Sequence, residues 1–111
     1  MEKHIITDTF HEKDLYIYIG EYDTFVQEME ERWCDTLDRG NPLAMYIYVD
    51  WYGGVIWIGK RKLTWFIHEL THYTRDIGEK IGYTKEHEHE YYAYAMEYYT
   101  REAKKKIRFT S

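Results

Sequence analysis

Apolar and polar positions change their spacing along the chain, and those changes mark out its elements. The run Leu15-Tyr16-Ile17-Tyr18-Ile19 is β-prone throughout and stops at Gly20, which predicts a strand. A short strand over Lys3 to Thr7 is expected before it. After Gly20 the spacing widens to three and four, with Val26, Met29, Trp33 and Leu37 on one stripe. That predicts a helix with Asp23 or Thr24 as N-cap, a Thr24–Gln27 capping box and a stop at Gly40-Asn41-Pro42. Leu43 to Trp51 is β-prone again. Gly53-Gly54 reads as a hairpin turn and Val55 to Ile58 as the returning strand. A second helix, capped by Thr64, carries Trp65, Phe66, Ile67, Leu70, Tyr73 and Ile77 and is expected to end at Gly78 or Gly82. A third is expected from about Lys85 to Lys106, with Ile107-Arg108-Phe109 adding a last contact.

The order strand, strand, helix, strand, strand, helix, helix predicts an α+β fold, a small and mostly antiparallel sheet packed with three helices. A length of 111 residues supports a single domain, 1–111. Thirteen tyrosines, within an aromatic content of 19%, add large apolar faces whose hydroxyls need partners.

A net charge of −5 argues against general nucleic-acid binding. The basic triplets Lys60-Arg61-Lys62 and Lys104-Lys105-Lys106 read as solvated helix ends. Cys34 is the only cysteine, so no disulfide forms within the chain. The first residues are too poor in apolar side chains for a signal peptide, and no stretch approaches the roughly 20 apolar residues of a membrane span. A soluble cytoplasmic protein without membrane contact is the expectation; the oligomeric state is not fixed by the sequence.

The second helix contains His68-Glu69-Leu70-Thr71-His72. Residues i and i+4 share a helix face, so both imidazoles can converge on one ion, and neutral imidazole suits Zn2+. Glu69 sits beside the first histidine, where a carboxylate can act as general base toward a metal-activated water. A catalytic zinc usually takes three protein ligands. Glu90 is the first candidate for the third, on a stripe with Ala93 and Glu97; Glu86, Glu88, His87 and His89 remain alternatives. Asp76 continues the histidine face one turn on, as a supporting group or as an exposed helix end.

From Gly54 to about Arg101 the chain resembles small zincin-like metallopeptidases encoded by phages and prophages. The shared layout is a strand, a His-Glu-x-x-His helix, a glycine-containing loop (here Gly78 to Gly82) and a helix opening Glu90-Tyr91-Tyr92-Ala93-Tyr94. The resemblance covers a little under half of the chain; residues 1–50 carry no motif we can name. It implies a minimal zincin-like architecture with zinc ligands His68, His72 and Glu90, and Glu69 as the base. Larger members often place a carboxylate or amide four residues after the ligand glutamate, where this chain has Tyr94.

The expected activity is hydrolysis of a peptide bond in a peptide or protein substrate. Among Tyr73, Tyr83, Tyr91, Tyr94 and Tyr98, Tyr94 is the first candidate for stabilising the tetrahedral oxyanion. Val55 to Ile58 is either an exposed edge that binds substrate, with Trp51 and Trp57 lining a subsite, or a buried hairpin strand. The alternative function is a non-catalytic, zinc-stabilised protein that binds a host or phage partner, with His87 or His89 as a fourth ligand. A metal-free interaction module is a third possibility.

Overall fold

A computed structural model describes residues 1–8, 12–33, 37, 40, 42–49, 53–80 and 88–110. The elements are β1 (Glu2–Asp8), β2 (Lys13–Ile19), α1 (Tyr22–Arg32), β3 (Ala44–Val49), β4 (Gly53–Ile58), α2 (Leu63–Lys80) and α3 (Glu88–Lys106). Their order is the one the spacing predicts. The sheet runs β1-β2-β4-β3. β1 with β2 and β3 with β4 are antiparallel. β2 with β4 is parallel, with Ile17 opposite Ile56, so the sheet is mixed. α1 and β3 lie between β2 and β4 in the chain, which supplies the crossover a parallel pair requires.

Helices cover both faces of this sheet, and that explains the unbroken apolar runs of β2 and β4. Leu15, Ile17, Ile19, Ile56 and Ile58 point one way, onto Phe66, Leu70, Tyr73 and Ile77 of α2 and Tyr99 of α3. Tyr16, Tyr18, Val55 and Trp57 point the other way, onto Phe25 and Met29 of α1. Trp57 is therefore a core residue, 2% exposed, with its indole N–H donating to the Gly20 carbonyl at 3.0 Å. It lines no subsite, and Trp51 lies outside the described residues. The edge-strand expectation for Val55 to Ile58 is likewise corrected. β4 is buried along its whole length between two strands, and β3 is the edge beside α2.

The structure departs from the local signals at five places. Gly53 and Gly54 do not form the hairpin turn; they open β4, and the connection over 50–52 lies outside the described residues. A Cβ on Gly54 would stand 2.5 Å from Tyr73 Cδ1 and 3.0 Å from Tyr46 Cε1, so the glycine makes room for two rings. Gly78 does not end α2 either. It is buried inside the helix with the Tyr92 ring 3.2 Å from where its Cβ would be. α1 begins at Tyr22, which puts Thr24 inside its first turn, and its N-cap Glu21 makes no side-chain capping bond. α1 also stops early, at Trp33, whose N–H bonds the Met29 carbonyl. α2 begins at Leu63, so Thr64 is not its cap. Here the C-terminal tail caps instead, with the Leu63 N–H donating to the Thr110 carbonyl at 3.0 Å.

The expected partners for buried tyrosine hydroxyls are present. Tyr99 donates to the buried Asp8 carboxylate at 2.7 Å and lies 3.5 Å from the Tyr73 hydroxyl. This joins α2, α3 and β1 through a polar contact inside the core. Among the described residues, no helix is long and apolar enough to cross a membrane.

Candidate metal centre

α2 is amphipathic. Phe66, Leu70, Tyr73 and Ile77 anchor it on the sheet, and the periodicity then fixes where its other residues point. His68 and His72 lie on the solvent side near β3, with ring centroids 5.1 Å apart. Ligand atoms of His68, Glu69 and His72 all lie within 4.8 Å of one another. Both imidazoles are exposed, whereas Glu69 is only 7% exposed.

The Glu69 carboxylate is the unusual group. Its Oε2 is buried and has no hydrogen-bond partner among the described residues. Burial raises its pKa above the ordinary carboxylate range, and the neighbouring His68 and His72 partly oppose that rise. A buried, unpartnered carboxylate oxygen is costly unless something completes it. Two imidazoles and a carboxylate form a donor set suited to zinc, and a cation or an activated water beside them would complete Oε2. The residues therefore fit a divalent ion held by His68 and His72, with Glu69 at its side.

The cluster opens into a groove between α2 and the edge strand. One cavity of about 450 Å³ is lined by Ala44, Met45, Tyr46, Glu69, His72 and Asp76. A second, also about 450 Å³, is lined by Leu43, Ala44, Thr64, Trp65, His68 and Glu69, with Pro42. Ala44 and Glu69 belong to both, so the carboxylate stands where the two cavities meet.

Tyr46 is the site residue that sequence reasoning missed. Its ring lies nearly parallel to the His72 imidazole, at 13° and 6.4 Å between centroids. Its hydroxyl donates to Asp76 Oδ2 at 2.8 Å. Burial, and then the Asp76 carboxylate, raise the phenol's pKa well above its ordinary value, so it stays protonated. Asp76 is thus not a free helix end; its bond ties β3 to α2 beside His72. The alternation of β3 was the available signal, because Ala44, Tyr46 and Tyr48 share the face packed toward α2 and α3.

Glu90 and Tyr94 are not brought to this cluster. Both are exposed on α3, Tyr94 at 67%, and neither lines the cavities beside Glu69. The reason is the side on which α3 docks. It meets α2 where Tyr91 donates to the Thr74 carbonyl at 3.4 Å and where Tyr92 covers Gly78. At about 100° per residue, Thr74 lies on the far side of α2 from His72. His89 is exposed as well, while Glu86, His87 and the Glu88 side chain lie outside the described residues.

Compared with protein-family models, curated proteins and solved structures, the chain gives no match.

Proposed function

We propose that the protein is a small zinc-dependent peptidase that hydrolyses peptide bonds with Glu69 as general base. The observation that carries this reading is the His68–Glu69–His72 cluster, whose ligand atoms lie within 4.8 Å of one another, together with a Glu69 carboxylate oxygen that is buried and has no partner among the described residues. The motif resemblance to phage-encoded zincin-like metallopeptidases supports the same class.

In this reading His68 and His72 hold the ion. When bound, zinc supplies Lewis-acid chemistry, polarising a substrate carbonyl and making water acidic enough to attack at neutral pH. The chain's own residues do the rest. Glu69 accepts the proton of the attacking water and passes it to the leaving amine. Its burial suits this, because a carboxylate of raised pKa is a better proton acceptor than a solvated one. β3 presents an edge beside the cluster, and an extended peptide can add to such an edge through its backbone. Tyr46 and Asp76 brace the His72 end of the groove.

The motif pattern proposes Glu90 as the third ligand and Tyr94 as the oxyanion donor, although α3 as docked holds both away from the cluster. The cluster as it stands offers two imidazoles and one carboxylate. Glu69→Gln tests the catalytic claim. The reading expects that variant to bind zinc as the wild type does and to lose cleavage of a mixed peptide library. Cleavage unchanged in Glu69→Gln would refute it. Zinc bound equally by both proteins, with cleavage by neither, would favour the non-catalytic zinc protein.

A further inference from the structure

α2 carries a second groove, on the side away from its histidines. It has a volume of about 610 Å³ and lies against α3. Ile67, Met96 and Thr100 form its floor, and Arg101, Lys104 and Lys105 stand along its rim with Glu97. Beyond Lys104 lies another cavity of about 380 Å³, lined by Leu63, Lys104, Ile107, Arg108, Phe109 and Thr110. Lys104 belongs to both, so two apolar hollows flank one lysine.

The C-terminal tail builds this surface. The Thr110 N–H donates to the Arg61 carbonyl at 2.6 Å, and Phe109 packs on Phe66 at 5.3 Å between ring centroids. Two basic segments far apart in sequence, Lys60-Arg61-Lys62 and Lys104 to Arg108, are thereby held at one end of the molecule. Some of that charge is answered locally. Lys105 pairs with Glu102 at 2.7 Å, and Arg101 approaches Glu97 at 3.8 Å. Lys104 and Arg108 are exposed, with no ion pair among the described residues.

We propose that this α2–α3 groove docks an acidic, amphipathic peptide segment of a protein partner. Two apolar side chains of the segment enter the two hollows, and its carboxylates lie over Arg101, Lys104 and Arg108. Charge complementarity selects the occupant: the chain carries −5 overall, so a basic rim around an apolar floor is a local exception that attracts an acidic segment. A long polyanion such as RNA fits less well. It would run onto the acidic remainder of the surface, and the first hollow offers no aromatic ring for a base to stack on. A bilayer fits less well too, because none of the exposed large apolar side chains among the described residues, Met1, Ile5, Leu43 and Tyr94, lines this surface. The docking does not depend on the metal reading, since Ile67 faces α3 while His68 faces β3.

The test is fluorescence anisotropy of the full chain with a short fluorescein-labelled peptide of glutamates carrying two spaced leucines. Saturable binding is expected, weakened roughly tenfold or more by Arg101→Glu with Lys104→Glu and weakened by added salt. The milder pair Arg101→Gln and Lys104→Gln, checked by circular dichroism, should fall between. Replacing the leucines by serine should also weaken binding. No binding of the acidic peptide, equal affinity in the charge-reversed variant, or tighter binding of oligonucleotides or phosphatidylserine vesicles would overturn the proposal.

Discussion

In the metal-free protein, replacing Glu69 by glutamine should stabilise the fold at neutral pH. Glu69 is 7% exposed and its Oε2 has no partner among the described residues, so its ionised form is held in an environment that disfavours charge. Leaving such a group unsatisfied costs about 1–3 kcal/mol, and the lower half of that range applies beside an open cavity. A neutral amide avoids the part of it that comes from burying charge. For a chain of this size, about 1–2 kcal/mol corresponds to roughly 4–8 °C in melting temperature. The pH dependence follows from the direction of the shift. The folded pKa of Glu69 is raised above the unfolded value near 4.5, so the folded state binds the proton more tightly. The stability linked to Glu69 is therefore complete below about pH 4.5 and is lost as pH rises through the folded pKa. Thermal unfolding in a chelator should show Glu69→Gln melting above wild type at pH 7, with the gap closing toward pH 4.5. A variant that melts lower at pH 7, or a gap independent of pH, would mean that the fold carries no charge penalty at Glu69.

Other consequences concern the supports of the site. Gly54→Ala drives a methyl into the Tyr73 ring, and overpacking of this kind costs about 1–3 kcal/mol, measurable by urea denaturation. Tyr46→Phe and Asp76→Ala each remove the hydroxyl–carboxylate bond that ties β3 to α2 beside His72. The bond does not reach an imidazole, so zinc affinity should fall by less than the about 10–100-fold typical when a direct partner of a ligand is lost, read by competition with a chromophoric chelator. Ligand imidazoles must be neutral, so zinc affinity should fall as pH is lowered from about 7 to 5, and a flat profile over that range would exclude both histidines.

The element order was readable because it rests on local periodicity. The stripe Phe66, Leu70, Tyr73, Ile77 and the unbroken apolar runs of β2 and β4 report which positions are buried. The His-Glu-x-x-His cluster was readable for the same reason, since one helix turn sets its geometry. What escaped depended on contacts between distant segments. Gly53-Gly54 carries a turn signal, yet its requirement for glycine comes from Tyr73 and Tyr46, 19 and 8 residues from Gly54 in the chain. The parallel pairing of β2 with β4 has no local signature, so β4 could be mistaken for an edge. Glu90 and Tyr94 were placed by helix stripe, but a stripe does not say on which side of α2 the next helix docks. Tyr91, Tyr92 and Met96 decide that, against Thr74 and Gly78. Tyr46 entered the site through the edge position of β3, which only the assembled sheet defines.

The most direct test of the central claim is the metal content of untagged protein, for wild type, His68→Ala and Glu90→Ala. The account predicts about one zinc per chain in the wild type and none in His68→Ala, as a site built on two imidazoles requires. Loss in Glu90→Ala as well would establish it as the third ligand, and retention would remove it from the set. A wild-type protein that holds no zinc after incubation with excess metal, or a His68→Ala protein that holds as much as wild type, would contradict the account.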